Sequence, residues 1–178
     1  MPRRAPRLGS PEQAAIALLV ELDISKAPIP IERIAKHLGA QIRYSPFDDE
    51  ISGMIHIRDG QPIIGVNSLH HPHRQRFSIA HELGHLQLHR NVVVAGVHVD
   101  KEIPVLMRDA KASFGTDKIE IEANRFAAEL LMPRSLLEQT LTERTLDIND
   151  EKSIEVIAQR FKVSKQAMSH RINALLQA

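Results

Sequence analysis

The chain has 178 residues, 43% of them hydrophobic and 25% charged, which suits one globular domain with a core of its own. Its 23 Lys and Arg against 22 Asp and Glu leave a net charge of +1, so no global charge excess draws it to nucleic acid or to an anionic membrane. It has no cysteine, which excludes a disulfide scaffold, a thiolate metal site and a thiol nucleophile; any metal must be held by His, Asp or Glu, and there are ten histidines.

Residues 1–9 are rich in Pro and Arg and read as a disordered basic tail. Arg3, Arg4 and Arg7 ahead of the apolar run Ala14 to Val20 imitate a secretory signal, but Glu12 and Glu21 flank the run and no small-x-small cleavage site follows. No apolar run approaches the roughly 20 residues that span a bilayer. The expected location is therefore the cytoplasm. Ser10, as an N-cap before Pro11, predicts a helix to about Leu22. Ile31, Ile34, Ala35 and Leu38 are spaced for a second helix, which Gly39 ends. Gln41 to Tyr44 alternates like a strand. Gly53 to Ile57 and Pro62 to Val66 flank a hairpin turn at Arg58-Asp59-Gly60-Gln61. A helix is expected over 73–89, then irregular chain over 91–117 with a strand-like run at Val92 to Val94. A strong helix covers 118–131, stops at Met132-Pro133, and is followed by a short one. From about residue 150, two further short helices are separated by Lys162-Val163-Ser164.

The 73–89 helix contains His81-Glu82-Leu83-Gly84-His85. Histidines four apart stand one turn above each other, so both imidazoles can reach one ion, while the intervening Glu82 projects nearby without ligating and can take a proton from water. With 10 His and 13 Glu in the chain, random placement yields roughly 0.04 such motifs. Phe77, Ala80, Gly84 and Leu88 form an apolar stripe beside the histidines, which seats the helix on a core.

Hydrolytic zinc takes three protein ligands and keeps a fourth position open. His89 continues the same face but lies a further turn away, and one helix can rarely wrap three ligands around one ion. The 118–131 helix offers two acids. At about 100° per residue, Glu120 shares its side with Ala123, Asn124, Ala127 and Leu131, while Glu122 falls opposite with Arg125 and Glu129. Glu120 is thus the expected third ligand and Glu122 a solvated partner of Arg125. Asn124, one turn beyond Glu120, is placed to hydrogen-bond a ligand imidazole. His70, His71 and His73 read as a polar loop, His37 and His170 as surface residues, and His56 and His98 as candidates to line a cleft.

The segment Arg76 to His85 and, 35 residues after His85, the segment Glu120-Ile121-Glu122-Ala123-Asn124-Arg125-Phe126-Ala127-Ala128-Glu129-Leu130-Leu131-Met132-Pro133 resemble the ImmA/IrrE family of metallopeptidases. H-E-x-x-H occurs on many folds; joined to E-x-x-A-N-x-F-A-x-x-L-L-M-P it is specific. The similarity covers about residues 10–135, including Pro30 to Gly39. It implies a zinc-dependent endopeptidase in which His81, His85 and Glu120 bind zinc and Glu82 is the catalytic base. It further implies a helix-turn-helix repressor or antitoxin as the protein that is cleaved or inactivated.

The expected architecture is α+β, a zincin-like core with a small mixed sheet packed on the two motif helices. Residues 10–140 would form the metallopeptidase domain and 141–178 a small helical, helix-turn-helix-like subdomain. Zn2+ is the expected cofactor, though manganese or another divalent ion would suit such donors. Tyr44, His56, His98 and Arg108 are unranked candidates to stabilise an oxyanion. An extended substrate would add to a sheet edge, with Pro62 to Val66 as one candidate. The rival reading is a regulator that holds a metal and sequesters its partner without cutting it, or that binds DNA through Lys165, Gln166, Ser169, His170 and Arg171. Against DNA binding, Asp150, Glu151 and Glu155 offset the nearby cations and leave little for phosphate contact. Those helices are expected to pack on the catalytic core or to help dock the partner.

Overall fold

The computed structural model describes residues 9–101, 116–144 and 150–177. Most of the basic tail and Arg108 lie outside that range. The order of elements is α1 (Pro11–Glu21), α2 (Ile31–His37), β1 (Gln41–Ser45), β2 (Ile51–Arg58), β3 (Gln61–Asn67), α3 (Pro72–Leu88), α4 (Arg90–Ala95), β4 (His98–Lys101), α5 (Thr116–Leu131), α6 (Arg134–Arg144), α7 (Glu151–Phe161) and α8 (Lys165–Leu176). The fold is α+β, and among the described residues four strands form one mixed sheet.

Local chemistry explains most boundaries. Ser10 caps α1 in a reciprocal box with Gln13, its hydroxyl accepting from the Gln13 amide at 3.3 Å while Gln13 Oε1 accepts from the Ser10 amide at 3.0 Å. Gly39 ends the α2 segment at φ +74°, in the left-handed region open to glycine. The β2–β3 hairpin turns on Asp59 and Gly60, both at positive φ, which matches strand twist in a two-residue loop.

The strand order is β1-β3-β2-β4; β1 runs parallel to β3, and the other two pairs are antiparallel. Ile55, Ile64 and Val66 face a core completed by Ile79, Leu83 and Phe126 from α3 and α5. Helix α1 closes over α5, with Glu12 accepting from Arg125 Nε at 2.6 Å.

Residues Val92 to Val94 are helical in α4, where strand-like structure is expected from the sequence. β-branched residues favour strands only when a pleated neighbour receives them. Here the amides of Val92 and Val93 bond the His89 carbonyl at 2.8 and 3.3 Å, and pairing with β2 begins only at His98.

The C-terminal helices belong to the same apolar cluster through Ile157, Phe161, Met168 and Ile172. Asp150 caps α7, Lys162 at φ +52° ends it, and Ser164 caps α8, accepting from Ala167 at 3.1 Å. Arg171 reaches back to α5, where it donates to the Met132 carbonyl at 3.1 Å and pairs with the buried Glu129 carboxylate. Among the described residues, no helix is long and apolar enough to cross a membrane.

Candidate metal centre

Helix α3 runs between the sheet and α5, and nine consecutive residues, Ser78 to Leu86, are buried. It meets α5 closely at Gly84. A Cβ there would stand 3.1 Å from Ala123 Cα and 3.2 Å from the Ala123 carbonyl oxygen. The missing side chain lets the two backbones approach, and this brings Glu120 and Asn124, on the inward side of α5, to the histidines of α3. Ala123 and Ala127 share that inward side, as the helical phase predicts.

Four side chains converge. His81 Nε2 and His85 Nε2 are 3.0 Å apart. Glu120 places Oε2 3.2 Å from His81 Nε2 and Oε1 3.4 Å from His85 Nε2. His98, from β4, places Nε2 3.2 Å from Glu120 Oε1. One ligand atom from each of the four lies within 4.8 Å of all the others. Ligands of a tetrahedral zinc, at about 2.0–2.1 Å from the ion, stand roughly 3.3 Å from each other.

The hydrogen bonds behind these atoms fit the tautomers in which Nε2 of His81 and of His85 faces inward with a lone pair. His81 Nδ1 lies 3.0 Å from Asn124 Oδ1. A carbonyl oxygen only accepts, so with the amide in this orientation Nδ1 carries the hydrogen and Nε2 presents a lone pair. His85 is set by a longer chain. Glu122 Oε2 lies 2.9 Å from His89 Nε2, and His89 Nδ1 lies 3.2 Å from His85 Nδ1. A carboxylate accepts from His89 Nε2–H; His89 Nδ1 can then accept from His85 Nδ1–H, and His85 Nε2 is left with its lone pair. Two imidazole lone pairs 3.0 Å apart beside a carboxylate repel unless a cation lies among them. These residues therefore fit a divalent metal such as zinc.

The electrostatics agree. Burial pushes the His85 imidazole down to about 4, and nearby His81 and His98 push the same way against Glu120, so the ring is neutral at pH 7. Burial alone would raise the Glu120 carboxyl. The rings of His81, His85 and His98, each with Nε2 within 3.4 Å of the carboxylate, outweigh it and hold the group well below the usual carboxylate range. Neutral imidazole and ionised carboxylate are the forms that ligate.

Glu82 is fully buried beside this cluster, against β2. A Cβ on Gly53 would stand 3.3 Å from Glu82 Oε1, so glycine at that strand position leaves room for the carboxylate.

The structure revises several sequence-based assignments. Glu122 bonds His89, with Lys118 3.8 Å away, and is not the partner of Arg125, whose guanidinium is taken by Glu12 from α1. Glu129 is buried against Arg171, not on a solvent face. Both differences arise from partners distant in sequence, which helical phase cannot register. His89 backs His85 instead of lying beyond the site. His98, expected only to line a cleft, joins the cluster; it sits opposite Ile55 and so shares the helix-facing side of the sheet. His56, one residue along β2 from Ile55, points to the other face. Tyr44 is half-exposed on β1, at the opposite edge of the sheet from β4. His70 bonds the loop around Asn67 and Asp49, and His71 caps α3, as a polar loop should.

The fold and this histidine–carboxylate cluster define the class, an α+β domain with the donor set of a metallopeptidase on two packed helices. The model of the peptidase M78 family, the IrrE N-terminal-like domain, matches residues 35–173, and the chain belongs to that family. It is 37% identical over 99 residues, 55% of its length, to an uncharacterized immunity region protein 2 of Bacillus phage phi105, of which the match covers 56%. A solved structure described as a Mycobacterium tuberculosis transcriptional regulator superposes with a TM-score of 0.59 at 18% identity over 90% of this chain and 54% of the other. That likeness shows the fold. The chain thus spans little more than half the length of either relative.

Proposed function

We propose that this chain is a zinc-dependent endopeptidase that cleaves, and so inactivates, a helix-turn-helix repressor or antitoxin in the cytoplasm. The observation that carries this reading is the convergence of His81 Nε2, His85 Nε2 and the Glu120 carboxylate, one residue from a buried Glu82. A zinc ion held by these residues would polarise a peptide carbonyl and activate water for attack. Glu82 takes the proton of the attacking water on its carboxylate and delivers it to the departing amine. Asn124 and His89 hold the two imidazoles in the tautomer that presents Nε2. Family membership supports the peptidase reading, and the phage relative's name, which places that protein in an immunity region, supports a repressor as the partner.

The C-terminal helices serve as scaffold or partner dock in this account. Two of the cations best placed to meet DNA are engaged, Lys165 with Glu151 at 2.7 Å and Arg171 with Glu129, which leaves little for phosphate contact. The rival, a metal-holding regulator that does not cut, draws support from His98, which supplies a fourth donor. The test that separates them is incubation with a helix-turn-helix repressor encoded beside this chain's own gene. Mass spectrometry is expected to show two fragments with the wild type and none with Glu82→Gln, whose near-isosteric amide cannot take the proton. An intact repressor bound to the wild type would establish the rival.

A further inference from the structure

The proposed function, on which this inference rests, meets an obstacle in its own site. A hydrolytic zinc site keeps one position open, whereas His81, His85, Glu120 and His98 together offer four protein donors, the number found in closed structural sites. We propose that His98 and strand β4 are an internal occupant of the substrate cleft, holding the fourth metal position and the β2 edge until an extended peptide displaces them.

Three observations separate His98 from the other donors. The first is orientation. His81 is fixed through Nδ1 by Asn124 and His85 through Nδ1 by His89, but among the described residues no hydrogen bond holds Nδ1 of His98, whose Nε2 faces Glu120. Committed metal ligands nearly always donate their second ring nitrogen to a partner, and an unheld ring is the one that can leave.

The second is anchorage. His81 and His85 are buried in a 17-residue helix that packs on both the sheet and α5. Among the described residues, β4 comprises His98–Lys101 and pairs with β2 alone, across a register shift between Ile51 and Gly53. The chain leading to it is exposed from Val94 to Val97, with Val94 63% and Val97 61% accessible, and space is open around Gly96. Little apolar burial is lost when it lifts.

The third is position. β2 meets Glu82 at Gly53, and β4 takes the backbone hydrogen bonds of the β2 edge next to it. An extended peptide adding to that edge makes the same main-chain bonds and brings its own carbonyl toward the donors that His98 now faces. The ligand class is therefore an extended polypeptide segment, recognised first by its backbone.

The test uses the full chain loaded with Co(II), whose visible absorption reports the number and type of ligands, and acetohydroxamate as a small oxygen-donor probe. The wild type is expected to bind one equivalent of Co(II) and the probe weakly. His98→Ala is expected to keep its Co(II) and bind acetohydroxamate at least tenfold more tightly. Hydrogen exchange supplies a readout that does not depend on folding of the variant: amides of residues 98–101 in the wild type should exchange at least tenfold faster than those of β2 facing β3. Loss of Co(II) from a folded His98→Ala protein would show His98 to be a permanent ligand and overturn the proposal. So would unchanged probe affinity, or exchange in β4 as slow as in the β2–β3 hairpin; none of these touches the metallopeptidase reading. Failure of the wild type to bind Co(II) at all would overturn that reading, and this one with it.

Discussion

Helices α3 and α5 contribute His81, His85 and Glu120 from a platform whose backbones meet at Gly84, and both imidazoles are backed by hydrogen bonds to Asn124 and His89. Strand β4 contributes His98 to the same cluster, and among the described residues it pairs with β2 alone and gives His98 Nδ1 no such backing. The contrast teaches that proximity of donors does not make them equivalent. What holds a donor in place decides whether it binds the metal permanently or yields its position, and that can be measured donor by donor.

The largest effect expected is on metal affinity when the platform is cut. Glu120→Ala should weaken divalent-metal binding by more than the 10–100-fold typical of changes to a ligand's supporting partners. His98→Ala should weaken it by less than that range. Competition titration against a chromophoric chelator ranks the two, and equal losses would erase the distinction between platform and strand.

Gly84→Ala attacks the platform without touching a donor. Alanine favours the helix by about 1 kcal/mol. The added Cβ, however, meets the α5 backbone at 3.1 Å, and overpacking against atoms that cannot rotate away costs about 1–3 kcal/mol. The expected result is a lower melting temperature together with weaker metal binding, because α5 carries Glu120 away from the histidines. A more stable protein with unaltered affinity would show that the two helices have slack.

A smaller effect is expected from the chain behind His85. His89→Phe and Glu122→Ala should each reduce metal affinity about 10-fold, at the low end for outer partners, and Glu122→Gln should retain most of it by still accepting from His89. Titration of the three variants checks this, and indifference to both His89→Phe and Glu122→Ala would leave the chain without a role in positioning His85.

The smallest effect is the pH dependence of the metal-free protein. Burial holds His85 at about 4 when folded, below its unfolded value, so between roughly pH 4 and 6.5 the unfolded chain binds more protons. Glu120 is held below the carboxylate range by its histidine neighbours, so its contribution is full above its unfolded pKa and fades as pH falls below it. Both act in one direction. Chelator-treated protein should melt at a lower temperature at pH 5 than at pH 7.5, and metal saturation should widen that gap, since protons compete for the same lone pairs.

Most of the platform is legible in the sequence because its determinants are local. The four-residue spacing of His81 and His85, the helical phase that turns Glu120 and Asn124 inward, the Ser10–Gln13 cap and the Asp59-Gly60 turn each depend on neighbours within one or two turns of chain. What escapes is whatever depends on a distant partner. Glu122 looks solvent-bound until α3 brings His89 to it, and Arg125 looks like its mate until α1 supplies Glu12. Arg171 reads as a DNA-facing cation until it folds back onto Glu129. His98 carries no motif at all. Its place follows from the β2–β4 register, which sets it opposite the buried Ile55, and the expectation of a strand at Val92 to Val94 draws attention to the wrong part of that segment.

The metal content of the full chain, purified without a metal-affinity tag, bears most directly on the central claim that two helices build a metal centre. Elemental analysis should find about one divalent ion per chain, zinc above all, in the wild type and in Glu82→Gln, and less than a tenth of that in a folded His81→Ala/His85→Ala double variant. A full equivalent of metal in the double variant would contradict the account, because it would place the ion away from α3.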